Sequence, residues 1–201
     1  MKRTCTTAVL ALLTVLIPWP AHANSETNYG IFGGTSLSHI SIAEDKSDTR
    51  IGQLVGFLVD VPVLGLLRFA PEVAFIQKGG KYDEGTLAID WLEIPLLFKL
   101  ELTNKRFRPF VIAGPALGIR IYVARHLNDG SSAEISEAVI DNKNDLSYQV
   151  GAGIQFDPNP DFGIFIIGRY TESLVNMGGE ALTTANKKLT NSGFYISLGV
   201  S

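Results

Sequence analysis

Cysteine is nearly absent from this chain. Among 201 residues there is one, Cys5, close to the start. Everything beyond it is therefore barred from disulfides, thiol catalysis and thiolate metal sites. A basic excess is also missing. The 17 Lys and Arg against 20 Asp and Glu leave a net charge of −3, which offers no electrostatic footprint for nucleic acid. Long apolar runs are missing too: after residue 23 no stretch reaches 18 consecutive apolar residues, so the sequence predicts no transmembrane helix. The composition is nonetheless 46% hydrophobic with a mean hydropathy of +0.19. That excludes a disordered chain, and the length favours one domain.

What is present begins with an export signal. Met1-Lys2-Arg3 is a short basic start, Thr7 to Ile17 is apolar, Pro18-Trp19-Pro20 interrupts it, and Ala21-His22-Ala23 offers small residues for cleavage. This pattern predicts a secretory signal peptide over 1–23 and a mature domain over 24–201. An uncleaved anchor would need about 20 apolar residues, more than Thr7–Ile17 supplies. Loss of Lys2 and Arg3 leaves 15 basic and 20 acidic residues, a charge of 15 − 20 = −5. Cys5 leaves with the signal. All 20 glycines remain.

The mature region repeats a period of two, the signature of strands with unlike faces. The third predicted strand, Leu66 to Lys78, sets Leu67, Phe69, Val73 and Phe75 against Arg68, Ala70, Glu72 and Ala74. The fourth, Ile89 to Leu102, sets Leu92, Ile94, Leu96, Phe98 and Leu100 against Trp91, Glu93, Pro95, Leu97 and Lys99. In the sixth, Asp145 to Phe156, Leu146 through Phe156 alternate with Ser147, Gln149, Gly151, Gly153 and Gln155. In the eighth, Ser192 to Ser201, Phe194, Ile196, Leu198 and Val200 oppose Tyr195, Ser197 and Gly199. Tyr29–Ile42, Ile51–Val61, Arg108–Val123 and Phe162–Thr171 complete a set of eight. Tight links with Pro, Gly, Asn or Asp join strands two to three, four to five and six to seven. Longer polar links span 43–50, 79–88, 124–144 and 172–191. Alternation of short and long links places all short turns on one side, as in transmembrane barrels. The expected fold is all-β: an eight-stranded antiparallel up-and-down transmembrane β-barrel with short periplasmic turns and long external loops.

A soluble lipocalin-like barrel would turn its apolar face inward. Three features favour lipid on that face. Arg68, Glu72, Glu93, Lys99, Arg120 and Arg169 alternate with glycine and alanine, which suits a narrow lumen filled by side chains; they are expected to form a structural charge network. Phe69 and Phe75, Tyr148 and Phe156, and Phe162 and Tyr170 bracket apolar faces and are expected to form aromatic girdles. Eight residues at ~3.3 Å each and a tilt of ~40° cover roughly 20 Å, close to an apolar band of ~25 Å. The strands are also longer than the ~5–6 residues usual in soluble sheets. Pro71, Pro95, Pro109 and Pro115 fall inside strands. Since proline cannot donate to a ladder, bulges are expected near Pro71 and Pro95.

Four stretches resemble the porin-family, PorT-like outer-membrane β-barrel domain of Gram-negative bacteria. They are Tyr29 to Ser38 (YGIFGGTSLS), Trp91 to Lys99 (WLEIPLLFK), Arg108 to Pro115 (RPFVIAGP) and Val150 to Ile154 (VGAGI). The resemblance spans nearly all of the mature chain. It implies an eight-stranded barrel in the outer membrane, with the strand prolines as features of the family.

No catalytic motif stands out. Mature histidines are His39 and His126. Ser38 and His39, adjacent on one strand, point to opposite faces, and no G-x-S-x-G is present. Asp141 to Asp145 lacks the glycine and closing glutamate of a calcium loop, so no metal or other cofactor is expected. The reading is a non-enzymatic outer-membrane barrel with a structural or interaction role and a closed lumen. Its expected partners are outer-membrane lipid, the barrel-assembly machinery and an envelope or extracellular protein at loops 124–144 and 172–191, and not nucleic acid. The alternatives are an outer-membrane lipid-modifying enzyme and a soluble periplasmic lipid binder.

Overall fold

A computed structural model describes residues 27–42, 45–82, 85–127, 132–133, 143–159, 162–175 and 189–201. The proposed signal peptide lies outside them. Eight long strands carry the fold: β1 (Asn28–Ile42), β3 (Asp48–Leu64), β4 (Leu67–Tyr82), β5 (Gly85–Glu101), β6 (Phe107–Leu127), β8 (Asn144–Asn159), β9 (Phe162–Ser173) and β10 (Leu189–Val200). Two-residue strands β2 (Asp45–Lys46) and β7 (Ser132–Ala133) attach to β1 and β6. Each long strand pairs antiparallel with its chain neighbour, and β10 returns to β1 from Ile31↔Val200 to Ile42↔Leu189. The sheet therefore closes on itself. Closure removes the free edges that an open sheet of this size would expose.

The sequence periodicity maps directly onto the two faces. On β4, Arg68, Ala70, Glu72, Ala74 and Ile76 are buried while Val73 is 40% exposed; on β10, Tyr195 and Ser197 are buried while Ile196 and Leu198 are 46% and 59% exposed. A wall of exposed Ile, Val, Leu and Phe thus surrounds a lumen without bulk water on its inner face. Apolar surface of that extent is unfavourable in water and neutral in hydrocarbon. No helix among the described residues is long and apolar enough to cross a membrane.

The links differ from expectation on one side of the barrel. β4 continues to Tyr82, β5 starts at Gly85, and these two residues pair directly. The expected long loop at 79–88 is therefore strand over its described residues, 79–82 and 85–88. Likewise β3 begins at Asp48 and β6 reaches Leu127, so much of the expected 43–50 loop and the start of the 124–144 loop are extended backbone. The cause is the ladder itself: past a register shift between Asp90 and Trp91, β5 and β6 pair residue by residue from Asp90↔Tyr122 out to Gly85↔Leu127, and polar residues there satisfy their backbones strand to strand. Among the described residues, the β3–β6 side is taller than the side built by β9 and β10. At the opposite end, Gly65 turns β3 into β4 with φ of 57°, a left-handed conformation that glycine adopts freely.

The expected bulges at Pro71 and Pro95 are not there. Register runs unshifted from Leu58↔Glu72 to Val61↔Phe69, from Pro71↔Leu96 to Ala74↔Glu93, and from Pro95↔Ala116 to Phe98↔Ala113. An antiparallel strand sends alternate N–H groups to its two neighbours, so a proline forfeits one bond on one side and keeps the alignment. Pro71, Pro95 and Pro115 stand on three successive strands, each one residue from the partner of the last.

A real irregularity lies between β3 and β4, where register shifts between Thr49 and Leu54. The β4 carbonyls left without ladder donors are taken by side chains. Ser36 donates to the Gln77 carbonyl and Arg50 to that of Lys78. Ser38 Oγ donates to Gly79 O at 3.1 Å and accepts from Gly79 N at 2.9 Å. This accounts for a stretch of buried backbone that would otherwise be orphaned.

Candidate functional site

Two features carry chemistry: the filled lumen and a polar row on the outward wall. Parity puts both in place. The lumen receives the even residues of β1, β3, β4 and β6 and the odd residues of β5, β8, β9 and β10 through the body of the barrel.

At the end near the short turns, Asp60 accepts from Arg68 Nε at 2.5 Å and from Lys99 Nζ at 2.8 Å. Lys99 also reaches Gln155 Oε1 at 2.8 Å and Glu101 at 3.3 Å. Arg108 continues the chain to Glu101 and Asp157. Three cations and three anions balance in this group. At mid-height, Arg169 clasps Glu72 with both terminal nitrogens, at 2.5 and 2.8 Å, and its guanidinium lies 5.3 Å from the centre of the Phe32 ring. Towards the loops, Lys78 pairs with Glu93, Gln149 donates to Glu93 at 3.0 Å, and Ser173 donates to Asp145 at 2.8 Å. Buried charge is tolerated only in such paired, hydrogen-bonded form.

Apolar side chains fill the space between these pairs. Phe32, Leu54, Leu58, Ile76, Leu97, Phe110, Ile112, Phe165 and Ile167 form one buried cluster with Tyr195. Glycines were expected to make room for long charged side chains; most of the room goes to rings. A Cβ on Gly56 would collide with the Phe32 ring, one on Gly199 with Phe165, and one on Gly153 would lie 2.5 Å from Phe110 Cζ. All three are direct cross-strand pairs: Phe32↔Gly56, Gly199↔Phe165 and Phe110↔Gly153. A cavity of about 30 Å³, lined by Asp60, Glu72, Lys99, Gln155 and Arg169 among apolar groups, is left in the turn-side half. That is roughly the room of a single water, so the lumen is a packed core.

Of the six predicted lumen charges, Arg68, Glu72, Glu93, Lys99 and Arg169 are buried and paired within these groups. Arg120 shares their parity but is half-buried nearer the loops, where its N–H donates to Lys143 O at 2.8 Å. Sequence reasoning passed over Asp60, Lys78, Glu101, Arg108, Asp145 and Asp157. Asp60 and Lys78 were legible by parity: Asp60 lies in step with Leu54 and Leu58, and Lys78 with Arg68 and Glu72. The six predicted girdle aromatics all alternate with lumen residues and face outward; Phe69 meets Phe98 with ring centres 5.4 Å apart and planes tilted by 46°, and Tyr148 meets Tyr170 at 6.2 Å and 55°.

The outward row crosses four adjacent strands at the loop-side end. His39 pairs with Ser192, Ser192 with Glu172, and Glu172 with Tyr148. Tyr148 donates to Glu172 Oε2 at 2.6 Å and Tyr170 to the same oxygen at 3.1 Å. Ser192 Oγ lies 2.8 Å from His39 Nε2. Ser38 indeed points away from His39, into the lumen, and the serine that His39 meets comes from the far end of the chain. Glu172 stands beside Ser192 on the side away from His39, and the carboxylate takes its hydrogen bonds from tyrosines. A serine activated for attack has its histidine backed by a carboxylate; within this row the carboxylate stands beside the serine instead. The His126 side chain and most of loops 124–144 and 172–191 lie outside the described residues. Among those described, no group of three His, Cys, Asp or Glu residues is placed to hold a metal.

No curated protein matches the sequence. Solved structures match in fold. Neisserial surface protein A is 13% identical, with 88% of this chain and 97% of that chain covered and a TM-score of 0.53. Ail, the attachment invasion locus protein of Yersinia pestis, is 14% identical over 88% of this chain and 99% of that one, with a TM-score of 0.49. The outer membrane enzyme PagL is 12% identical over 82% and 97%, with a TM-score of 0.43. A family model described as an outer membrane protein beta-barrel domain matches residues 21–178. With a closed eight-stranded barrel, an apolar outer wall and a family match over most of its length, this chain belongs to the outer membrane protein β-barrel domain family.

Proposed function

We propose that the protein is an integral barrel of a Gram-negative outer membrane, exported by a signal peptide cleaved after Ala23, that acts as a scaffold for its loop-bearing end and not as a general pore or an enzyme. The packed lumen carries this reading. Ion pairs and rings fill the bore from Asp60 to Asp145, so solute has no route through, and the rigid wall supports the segments around 124–144 and 172–191. Function on such scaffolds concentrates in loops. The PorT-like affiliation rests on the WLEIPLLFK and RPFVIAGP stretches. Lipid, the barrel-assembly machinery and an envelope or extracellular protein are its partners in this reading. The role of Arg68, Glu72, Glu93, Lys99, Arg120 and Arg169 is to fill and neutralise the bore, and that of Phe69, Phe75, Tyr148, Phe156, Phe162 and Tyr170 is to mark the lipid interfaces.

Fractionation followed by a heat-modifiability gel tests it. The protein should appear in the outer-membrane fraction and shift in mobility on boiling; recovery in the soluble periplasm would overturn it. Deletion of 126–143 should abolish capture of the envelope partner while keeping the shift. A lipid-modifying enzyme is the second reading, favoured by the 2.8 Å contact between Ser192 and His39. Ser192→Ala and His39→Ala decide it: unchanged lipid acylation in both variants leaves the scaffold reading standing.

A further inference from the structure

The ion pairs at the turn-side end of the barrel leave two cations over. Asp60, Glu101 and Asp157 are matched there by Arg68, Lys99 and Arg108. Lys105 and Arg106, in the turn between β5 and β6, are the only exposed charged side chains at this end among the described residues. Neighbouring turns offer them no free anion. The link from β3 to β4 is uncharged, with Leu64 79% exposed, and Asp157 after β8 is taken by Arg108. On a chain of net charge −3, two uncompensated cations are thus concentrated in one short turn.

The backbone of this turn is pinned while the two side chains stay open. Leu102 N–H donates to Pro109 O at 2.9 Å, Lys105 N–H to Thr103 Oγ1 at 3.3 Å, and Asp157 N–H to Arg106 O at 2.8 Å. A ligand here would not have to order the chain that carries the charges, which lowers the cost of binding. Beside the turn the wall is apolar. Leu100, Leu102 and Phe107 are 43%, 59% and 54% exposed, and Phe107 pairs across the ladder with Phe156, itself 47% exposed. Free cations next to exposed apolar wall have the chemistry that holds an anionic amphiphile.

We propose that Lys105 and Arg106 bind the phosphate of an anionic phospholipid in the leaflet on the turn side, with its acyl chains along Leu100, Leu102, Phe107 and Phe156. A zwitterionic headgroup is disfavoured, because its own ammonium already neutralises the phosphate. An acidic protein would use the cations but not the apolar wall beside them. The inference rests on the proposed reading that the outward wall lies in lipid.

The test reconstitutes the mature protein in vesicles of equal phosphatidylglycerol, phosphatidylethanolamine and phosphatidylcholine with identical acyl chains. After re-extraction in mild detergent, the retained lipid is measured by mass spectrometry. Wild type should retain phosphatidylglycerol over both others by a factor of about three to ten, the scale of two exposed charges beside a lipid phosphate, and the factor should fall in high salt. The double variant Lys105→Gln, Arg106→Gln should return the ratio to that of the vesicles. Lys81→Gln with Lys143→Gln removes the same charge at the loop-side end and should leave the enrichment in place. Excess glycerophosphoglycerol, the headgroup without chains, should not displace the lipid. Vesicle-like ratios in wild type, unchanged enrichment in the folded turn variant, equal loss in the loop-side variant, or displacement by the free headgroup would each overturn the proposal. A boiling-dependent gel shift on the same samples reports separately whether the barrel is in the membrane at all.

Discussion

Loss of Glu72 should destabilise the barrel far more than loss of Glu72 and Arg169 together. Both side chains are nearly inaccessible, at 3% and 5%, and they meet through two hydrogen bonds of 2.5 and 2.8 Å. Glu72→Met keeps the length of the side chain but leaves a guanidinium buried against Phe32 without its anion. Breaking a buried pair from one side costs about 3–5 kcal/mol. The adjoining cavity of about 30 Å³ can admit a water to the freed guanidinium, which places the expected cost near the lower end. At about 3 kcal/mol the unfolding equilibrium constant rises by about two orders of magnitude. Arg169→Met should cost a similar amount by stranding Glu72. The double variant removes both charges and fills the space with apolar atoms, so its stability should lie within about 1.5 kcal/mol of wild type. Urea titration in lipid vesicles measures this, followed by the fluorescence of Trp91, the single tryptophan after residue 23. Two single variants costing under about 1 kcal/mol each, or a double variant equal to their sum, would refute a charge pair held in a closed, dry bore.

Gly153→Ala should cost about 1–3 kcal/mol by overpacking, because its Cβ meets the Phe110 ring at 2.5 Å; Phe110→Leu in the same chain should recover most of it in the same titration. Pro95→Ala should change stability by less than about 1 kcal/mol, since register already passes through Pro95↔Ala116 unshifted; a larger change in either direction would mean that the ladder is reorganised around the proline. N-terminal sequencing of the exported protein should read Asn24 first, and an intact Met1 would remove the signal-peptide reading.

Much of this fold was legible because a barrel wall imposes one strict period. Strands such as Ile89–Leu102 and Asp145–Phe156 showed their faces by alternation alone, and those faces hold in the structure. Loop lengths were less legible. The stretch between Gly79 and Ala88 looks like loop by composition, yet Lys81 pairs with Thr86 and Tyr82 with Gly85 across β4 and β5, because a ladder satisfies backbones whatever the side chains. Bulges at the prolines were inferred from a missing donor, but one lost bond on one side does not shift a register. The site was partly legible. Arg68, Glu72, Glu93, Lys99 and Arg169 stood out as charges on a small-residue face. Asp60 was legible by its parity with Leu54 and Leu58 but was passed over, because Val59 and Val61 beside it mark the opposite face. The contact between His39 and Ser192 joins residues 153 apart in sequence and depends on the closure of β1 on β10, which no local pattern encodes.

No cysteine follows Cys5, which allows the central claim to be tested one residue at a time. Single cysteines placed at 163 to 170 on β9, spin-labelled in vesicles, report contact with lipid through oxygen and with water through a soluble nickel chelate. A membrane-embedded barrel with a packed bore predicts high oxygen accessibility at 164 and 166, and low accessibility to both reagents at 165, 167 and 169. Nickel accessibility at 165, 167 and 169 would reveal an open aqueous pore, and nickel accessibility at 164 and 166 would reveal a barrel in water. Either result would contradict the account.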